Sequence, residues 1–308
     1  MAGGHASEGP IPVAARGSAA PGDPASFGWR VLRAGSLRLD GGGMFGLIPK
    51  AMWSKWVQAD ADNRIPLSMN CVLLERPAAP GLQRHPARAG DAVERVLVEA
   101  GAGRKWGEKE IATYGLERMP DGRVRCIEDA LAEIGVDPRS VDHVVVTHLH
   151  FDHCGGLVRL DPSGAPEQVF PHAKVHVQRQ EWSDALANRS TMTRTYLRPN
   201  LDTIAPQLVL HEGAAEVLPG LHVASTPGHT WGHQAIRWHD SLGTVCFPGD
   251  LLPTVHHLHP SASLGYDMLP YETMLTKRAL LQAAVREGWR LVLDHEPGEC
   301  AVRPVGPA

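Results

Sequence analysis

The chain has 308 residues, of which 43% are hydrophobic and 21% charged, and its formal net charge is −4. This composition excludes a disordered chain, and the absence of a long basic run argues against a general nucleic-acid surface. No apolar run is long enough to span a bilayer. The length suffices for one large domain or two smaller ones. Five cysteines (Cys71, Cys126, Cys154, Cys246, Cys300) are odd in number, scattered and without a CxxC pair, so neither a disulfide framework nor a cysteine-built zinc finger is expected. The unusual count is 17 histidines.

The N-terminus, residues 1–28, is small, polar and proline-rich with no apolar core segment. It reads as a disordered leader rather than a secretory signal, so the protein is expected to be cytoplasmic. Order should begin near Trp29, where "WRVLRAGSLRLDGG" alternates as a strand does. "MFGLIPKAMWSKW" (44–56) is apolar and irregular, a loop with a helical turn. It is expected either to pack on a second copy, giving a homodimer, or to cover a pocket. "SMNCVLLE" (68–75) and "ERVLVEAG" (94–101) are strands flanking an exposed proline- and glycine-rich loop, 76–92.

"KWGEKEIATYG" (105–115) and "CIEDALAEIGVDP" (126–138) have helical spacing. The strand "VDHVVVTH" follows, then strands at 173–178, 207–213, 221–228, 233–239 and 243–250. A long helix over 271–289 precedes a last strand, "RLVLDHE". Strands alternate with helices but also run as consecutive hairpins. Two packed sheets covered by helices are therefore expected over 29–308, rather than a simple doubly wound sheet.

The chemistry concentrates in "VVVTHLHFDHCGG" (144–156), where His148, His150, Asp152 and His153 fall within six residues after an apolar run. A strand end is a rigid mount, and the turn after it can fan several side chains towards one point. Residues two apart in a strand share a face, so His148 and His150 can serve one ion. Asp152 and His153, past the turn, can serve a second. Gly155 and Gly156 would let the following segment approach closely. "STPGHTWGH" places His229, "CFPGD" places Asp250 and "LVLDHEPG" places His295 at three further strand ends. A single histidine is more often a satisfied core residue, but seven ligand-type residues at four strand ends are not.

The pattern T-H-x-H-x-D-H-x-G-G, then T-P-G-H-T-x-G-H, then P-G-D, then a late histidine, resembles the metallo-β-lactamase superfamily of binuclear metal hydrolases. The resemblance spans about residues 30 to 300. It implies an α+β fold, an αββα sandwich of two mixed β-sheets flanked by helices. It also implies that His148, His150 and His229 hold one metal, that Asp152, His153 and His295 hold the second, and that Asp250 bridges them. All ligands are imidazole or carboxylate, which suits two zinc ions per chain; manganese, iron or cobalt would accept the same donors. Asp250 stands where the B1 and B2 β-lactamases carry a cysteine, so antibiotic hydrolysis is not favoured.

Such a centre implies a metal-dependent hydrolase in which a dimetal-bound hydroxide attacks a small carboxylic ester or lactone, with Asp152 or Asp250 carrying the proton. "GMFGLIPKAMWSKW", "NRIPLSMNCVLLE" and "GDLLPTVHHLHPSASLGYDMLP" resemble a subgroup of lactonase-like and methyl-parathion-hydrolase-like proteins, so the substrate is expected to resemble an acyl-homoserine lactone. Phe45, Phe151, Trp231, His257 and Tyr266 are candidate pocket residues, together with Met44, Trp53 and Trp56. His256, His257 and His259 form a second group, read as rim or loop rather than a metal site, and His233 as a support for the turn of His229. Two departures from the resemblance stand out: Pro253 where well-known lactonases have a tyrosine, and Glu99-Ala100-Gly101 where many members read D-T-G. The alternatives are a thioesterase of glyoxalase II type, a phosphotriesterase, and a non-catalytic binding or sensing protein that keeps the fold. No membrane or nucleic-acid partner is expected.

Overall fold

The structure, a computed structural model, describes residues 10–79, 92–192 and 194–306. In chain order the first elements are strands β1 (Ile11–Pro12), β2 (Arg16–Gly17) and β3 (Gly28–Asp40), short helices α1 (Gly41–Phe45) and α2 (Lys50–Trp53), and strands β4 (Arg64–Pro77) and β5 (Val93–Val98). Helices α3 (Glu108–Tyr114) and α4 (Ile127–Ala132), strand β6 (His143–Val145) and helix α5 (Phe151–Cys154) follow. Next come β7 (Val158–Leu160), β8 (Pro166–Gln168), β9 (Lys174–Gln178), α6 (Arg179–Leu186) and α7 (Arg198–Ile204). The last part holds β10 (Leu208–His211), β11 (Ala215–Leu218), β12 (Leu221–Ser225), β13 (Gln234–Asp240), β14 (Gly243–Phe247), α8 (Pro270–Glu287), β15 (Arg290–Val292) and β16 (Ala301–Arg303).

One sheet runs β10-β9-β6-β5-β4-β3-β2 and the other β1-β16-β15-β14-β13-β12-β11. Both are mixed: β5, β6, β9 and β10 pair in parallel, as do β14 and β15, while the remaining pairs are antiparallel. The near-continuous apolar strands follow from burial on both faces. In β4 and β5, Val72, Leu74, Val96 and Val98 meet Ile236, Trp238, Val245 and Phe247 of the opposite sheet. Their neighbours Cys71, Leu73 and Leu97 turn the other way, onto a layer with Ile127, Leu131, Leu201 and Ile204 from helices. Beyond the second sheet, Cys246 and Leu291 pack against Leu280, Leu281 and Ala284 of α8. Three apolar layers thus separate four layers of structure, the expected αββα sandwich.

One expectation needs correction: instead of a disordered leader over 1–28, the chain from Pro10 onward is built into the sandwich. β1 pairs with β16, β2 pairs with β3, and Phe27 is fully buried. These edge strands are two residues each, too short to show a period in the sequence. The short helices α6 and α7 had no assigned place either, because their apolar faces are thin. The proline-rich loop expected over 76–92 lies largely outside the described residues.

At one rim the sheets are stitched together. The Gln234 side chain donates to the Val146 carbonyl (2.8 Å) and its backbone N–H to Thr147 O (3.0 Å). Asn70 of β4 donates from its side chain to Leu293 O (2.9 Å) and Glu296 O (2.8 Å), while its backbone N–H reaches Asp294 O. These bonds hold residues 146–147 against the start of β13, and β4 against the segment 293–296.

Candidate metal centre

His148 and His150 lie just beyond β6, in extended chain rather than in the strand itself, and their rings sit 4.4 Å apart. Helix α5 then begins at Phe151 and carries Asp152 and His153. The close approach expected of the two glycines is present: a Cβ on Gly156 would lie 2.0 Å from Ala100 O. Gly249 has φ +56°, and a Cβ there would press on Thr147 and His233 at 2.7 and 2.8 Å. Only glycine allows the turn that turns Asp250 inward.

The side chains converge on Asp250. Its Oδ2 lies 3.0 Å from His229 Nε2 and 3.9 Å from His148 Nε2, and His150 Nδ1 stands 3.1 Å from His229 Nε2. Its Oδ1 lies 3.2 Å from His295 Nε2 and 3.5 Å from His153 Nε2. One carboxylate therefore faces two histidine groups, one oxygen to each. The first group gathers His148, His150, His229 and Asp250; the second gathers His153, Asp250, Asp294 and His295. Asp152 borders the second, 3.6 Å from His295 Nε2 and 3.9 Å from His153 Nε2.

The outward ring nitrogens of His295, His229, His148 and His153 each face a polar group. His295 Nδ1 donates to Ser68 O (2.8 Å), His229 Nδ1 faces Asp267 Oδ1 (3.0 Å), and His148 Nδ1 faces Thr147 Oγ1 (3.0 Å). His153 Nδ1 lies 3.5 Å from Glu99, whose carboxylate also accepts from Thr147 N–H (2.7 Å). These contacts fix each ring and aim its other nitrogen inward. The inward atoms His148 Nε2, His153 Nε2, His295 Nε2 and Asp250 Oδ1 are buried without a hydrogen-bond partner. Buried polar atoms are seldom left so, and an inward-facing set of imidazole and carboxylate donors fits divalent cations.

The electrostatics agree. Burial, with neighbouring imidazoles, holds His148 and His150 well below the ordinary histidine range, in the neutral form that ligates. Burial would raise Asp250, but His229, His153 and His295 hold it well below the usual carboxylate range. Asp294 is raised to about 8 by burial, with Asp250's charge adding to the effect. Two crowded carboxylates of this kind call for positive charge between them.

The site opens into a cavity of about 280 Å³. Phe151, Tyr266 and Met44 line it. Phe45, Trp231 and His257 do not. Phe45 is fully buried behind Met44, stacked on Trp53 and His257. His257 is buried and bonded through Nε2 to Met44 O (2.8 Å). Trp231 lies under the Arg189 guanidinium, 3.7 Å from its ring centre. His233 does support the turn of His229: its carbonyl accepts from Thr226 N–H and its Nδ1 lies 2.8 Å from Thr226 Oγ1.

Three functional side chains had no place in the sequence reading. Asp294 stands directly before His295, and a carboxylate beside a ligand at a strand end was the available signal. Asp267 holds His229 but lies in an irregular loop. Glu181 of α6 is fully buried and accepts from Leu149 N–H (2.9 Å), Tyr196 OH (3.0 Å) and Thr230 Oγ1 (2.6 Å). It ties the His148–His150 segment to the His229 turn, and no local pattern announces it.

Residues 93–295 match the model of the metallo-beta-lactamase superfamily, and the chain belongs to that family. An N-acyl homoserine lactonase from a Bacillus species is 34% identical over 110 residues, 36% of this chain. That match spans only 38% of the relative's length. The N-acyl homoserine lactonase AttM of Azorhizobium caulinodans is 29% identical, covering 68% of this chain and 75% of its own. Among solved structures, a probable metal-dependent hydrolase from Staphylococcus aureus superposes with a TM-score of 0.75 at 27% identity, covering 88% of this chain and 90% of that one. AidC, a dizinc quorum-quenching lactonase in complex with a product, superposes with a TM-score of 0.70 at 15% identity, covering 97% and 95%, a likeness of fold.

Proposed function

We propose that the chain is a hydrolase of small carboxylic esters or lactones, N-acyl homoserine lactones foremost, working with two zinc ions. The observation that carries this is the division of Asp250, whose two oxygens face separate histidine groups at the floor of a largely apolar cavity. The names of the lactonase relatives support the substrate class. We assign His148, His150 and His229 to one ion, His153, His295 and Asp152 to the other, and Asp250 to both. Bound there, two divalent cations supply charge that polarises a carbonyl and makes water acidic enough to attack near neutral pH.

The remaining steps belong to the chain's own residues. Asp152 and Asp250 both line the cavity, where they orient the attacking water and pass its proton towards the leaving oxygen. Tyr114 and Tyr266 also line it; burial raises both phenols, Tyr266 to about 12, so they keep their protons and can donate to a substrate carbonyl. Leu39, Met44, Phe151, Met192 and Leu264 form the wall that an acyl chain would cover.

The test is a panel of acyl-homoserine lactones, aryl esters, thioesters and phosphotriesters with metal-loaded protein. Lactone turnover should lead, and His148→Ala should lower it by about a hundredfold or more while removing one bound metal equivalent. Unchanged turnover in that variant would refute the assignment. A homodimer through 44–56 is part of this proposal: Leu47 and Met52 are 94% and 54% exposed. Leu47→Asp should then lower the mass measured by light scattering. A cytoplasmic location is supported by five buried, unpaired cysteines and is tested by cell fractionation. Among the described residues no helix is long and apolar enough to cross a membrane.

A further inference from the structure

Asp294 has no part in the proposed hydrolysis, yet its side chain is placed as a ligand would be. Its ligand atom and those of His153, Asp250 and His295 lie within 4.8 Å of one another, a set that does not include Asp152. Asp152 stands at the border, 3.6 Å from His295 Nε2 and 3.9 Å from His153 Nε2. The two carboxylates also face different spaces. Asp152 and His295 line both the large cavity and a void of about 10 Å³ behind the centre, whereas Asp294 lines the void alone. The second histidine group is thus bounded by Asp152 on the cavity side and by Asp294 on the interior side.

Asp294 is 2% exposed, and the chain around it is clamped. Asn70 donates from its side chain to the carbonyls of Leu293 and Glu296 and from its backbone to that of Asp294. The carboxylate is fixed through Oδ1, which accepts from His295 N–H (3.0 Å). Oδ2 is buried with no hydrogen-bond partner. His153 Nδ1 is 4.0 Å away and lies closer to Glu99, at 3.5 Å. No lysine or arginine pairs with Asp294 among the described residues. An anionic oxygen held rigidly in the interior, without a donor and beside a second buried carboxylate, calls for a cation. Two divalent ions bring four positive charges, of which Asp152 and Asp250 offset two; Asp294 offsets a third.

We propose that Asp294 is a further ligand of the second ion, anchoring it from the interior side. The proposal rests on the two-ion reading of the site and sharpens it. With Asp294 as the anchor, Asp152 is the carboxylate left free at the cavity to pass the proton from the attacking water to the leaving oxygen.

Cobalt(II) titrated into the metal-free full chain, followed by absorption and by competition with a chelator, tests this. Asp294→Asn keeps an oxygen to accept from His295 N–H and removes the charge, so the metal-free variant should melt within a few degrees of wild type. It should hold the second cobalt equivalent on the order of a hundredfold more weakly, whereas Asp152→Asn should weaken it by about tenfold at most. Loss of affinity alone would also follow from a residue that only positions His295. Asp294→Cys separates the two, because only a thiolate bonded to cobalt gives an intense near-ultraviolet charge-transfer band. That band should appear in Asp294→Cys and be absent from wild type and from Glu99→Cys. Its absence from Asp294→Cys, or a second equivalent held by Asp294→Asn within about tenfold of wild type, would overturn the proposal. Wild-type protein that takes up a single equivalent would refute the two-ion reading itself, and this assignment with it.

Discussion

His229 shows how much a single side chain depends on its partner. Its Nδ1 is held by Asp267 at 3.0 Å, and Asp267 also accepts from Leu264 N–H, which fixes the carboxylate in turn. Without that acceptor the ring can rotate and the inward nitrogen loses its aim. Asp267→Ala is therefore expected to weaken metal binding about 10- to 100-fold, read by competition with a chelator, while His229 remains in place. Glu99 has a comparable role at His153, and it sits at φ +62°, an uncommon backbone for a residue with a side chain. The departure from D-T-G noted in the sequence thus falls on a group that touches a ligand.

At the scale of elements, α6 and the sheet beneath it carry two predictions. Glu181 satisfies three donors from three segments, so Glu181→Ala leaves buried groups unpaired. A loss of about 3 kcal/mol or more in urea denaturation is expected, together with lower metal occupancy. The second concerns a ladder of imidazoles across β6, β9 and β10: His143 Nδ1 to His176 Nε2 at 2.9 Å and His176 Nδ1 to His211 Nε2 at 3.0 Å. Burial, with His143, His211 and Lys174 adding to it, pushes His176 down to about 2. The unfolded chain then binds a proton near pH 6.5 that the folded chain refuses until about pH 2. Stability contributed by the neutral ring is complete above about 6.5 and falls with acid by up to about 1.4 kcal/mol per pH unit. His176→Gln should flatten that slope between pH 6.5 and 4, measured by denaturant melts; an unchanged slope would count against the ladder.

The whole molecule is held by links between the sheets that no element makes alone. Asp240 of β13 accepts from Arg290 of β15 (2.8 Å) and from the Trp29 indole of β3 (2.8 Å). All three are buried, and Trp29 meets Trp238 edge-on at 5.6 Å. Asp240→Ala would strand the Arg290 guanidinium in the interior, so a loss of about 3–5 kcal/mol is expected, seen as a lower urea midpoint. This pairing also explains why the first described residues are ordered. Phe27 and Trp29 enter the layer between the sheets, and the chain before them is drawn along the edges.

The amino-acid sequence by itself determined most of the strands, the long helix and the placing of ligand-type residues near strand ends, because those depend on short-range patterns: apolar alternation, helical spacing and tight glycine turns. Only tertiary structure decided that Asp250 faces both groups, that Asp294 joins them, that Glu181 and Asp267 hold them, and that Phe45, His257 and Trp231 stay out of the cavity. Those outcomes depend on contacts between residues as much as 213 positions apart, and a buried acid or aromatic carries no local mark of which distant segment will close against it.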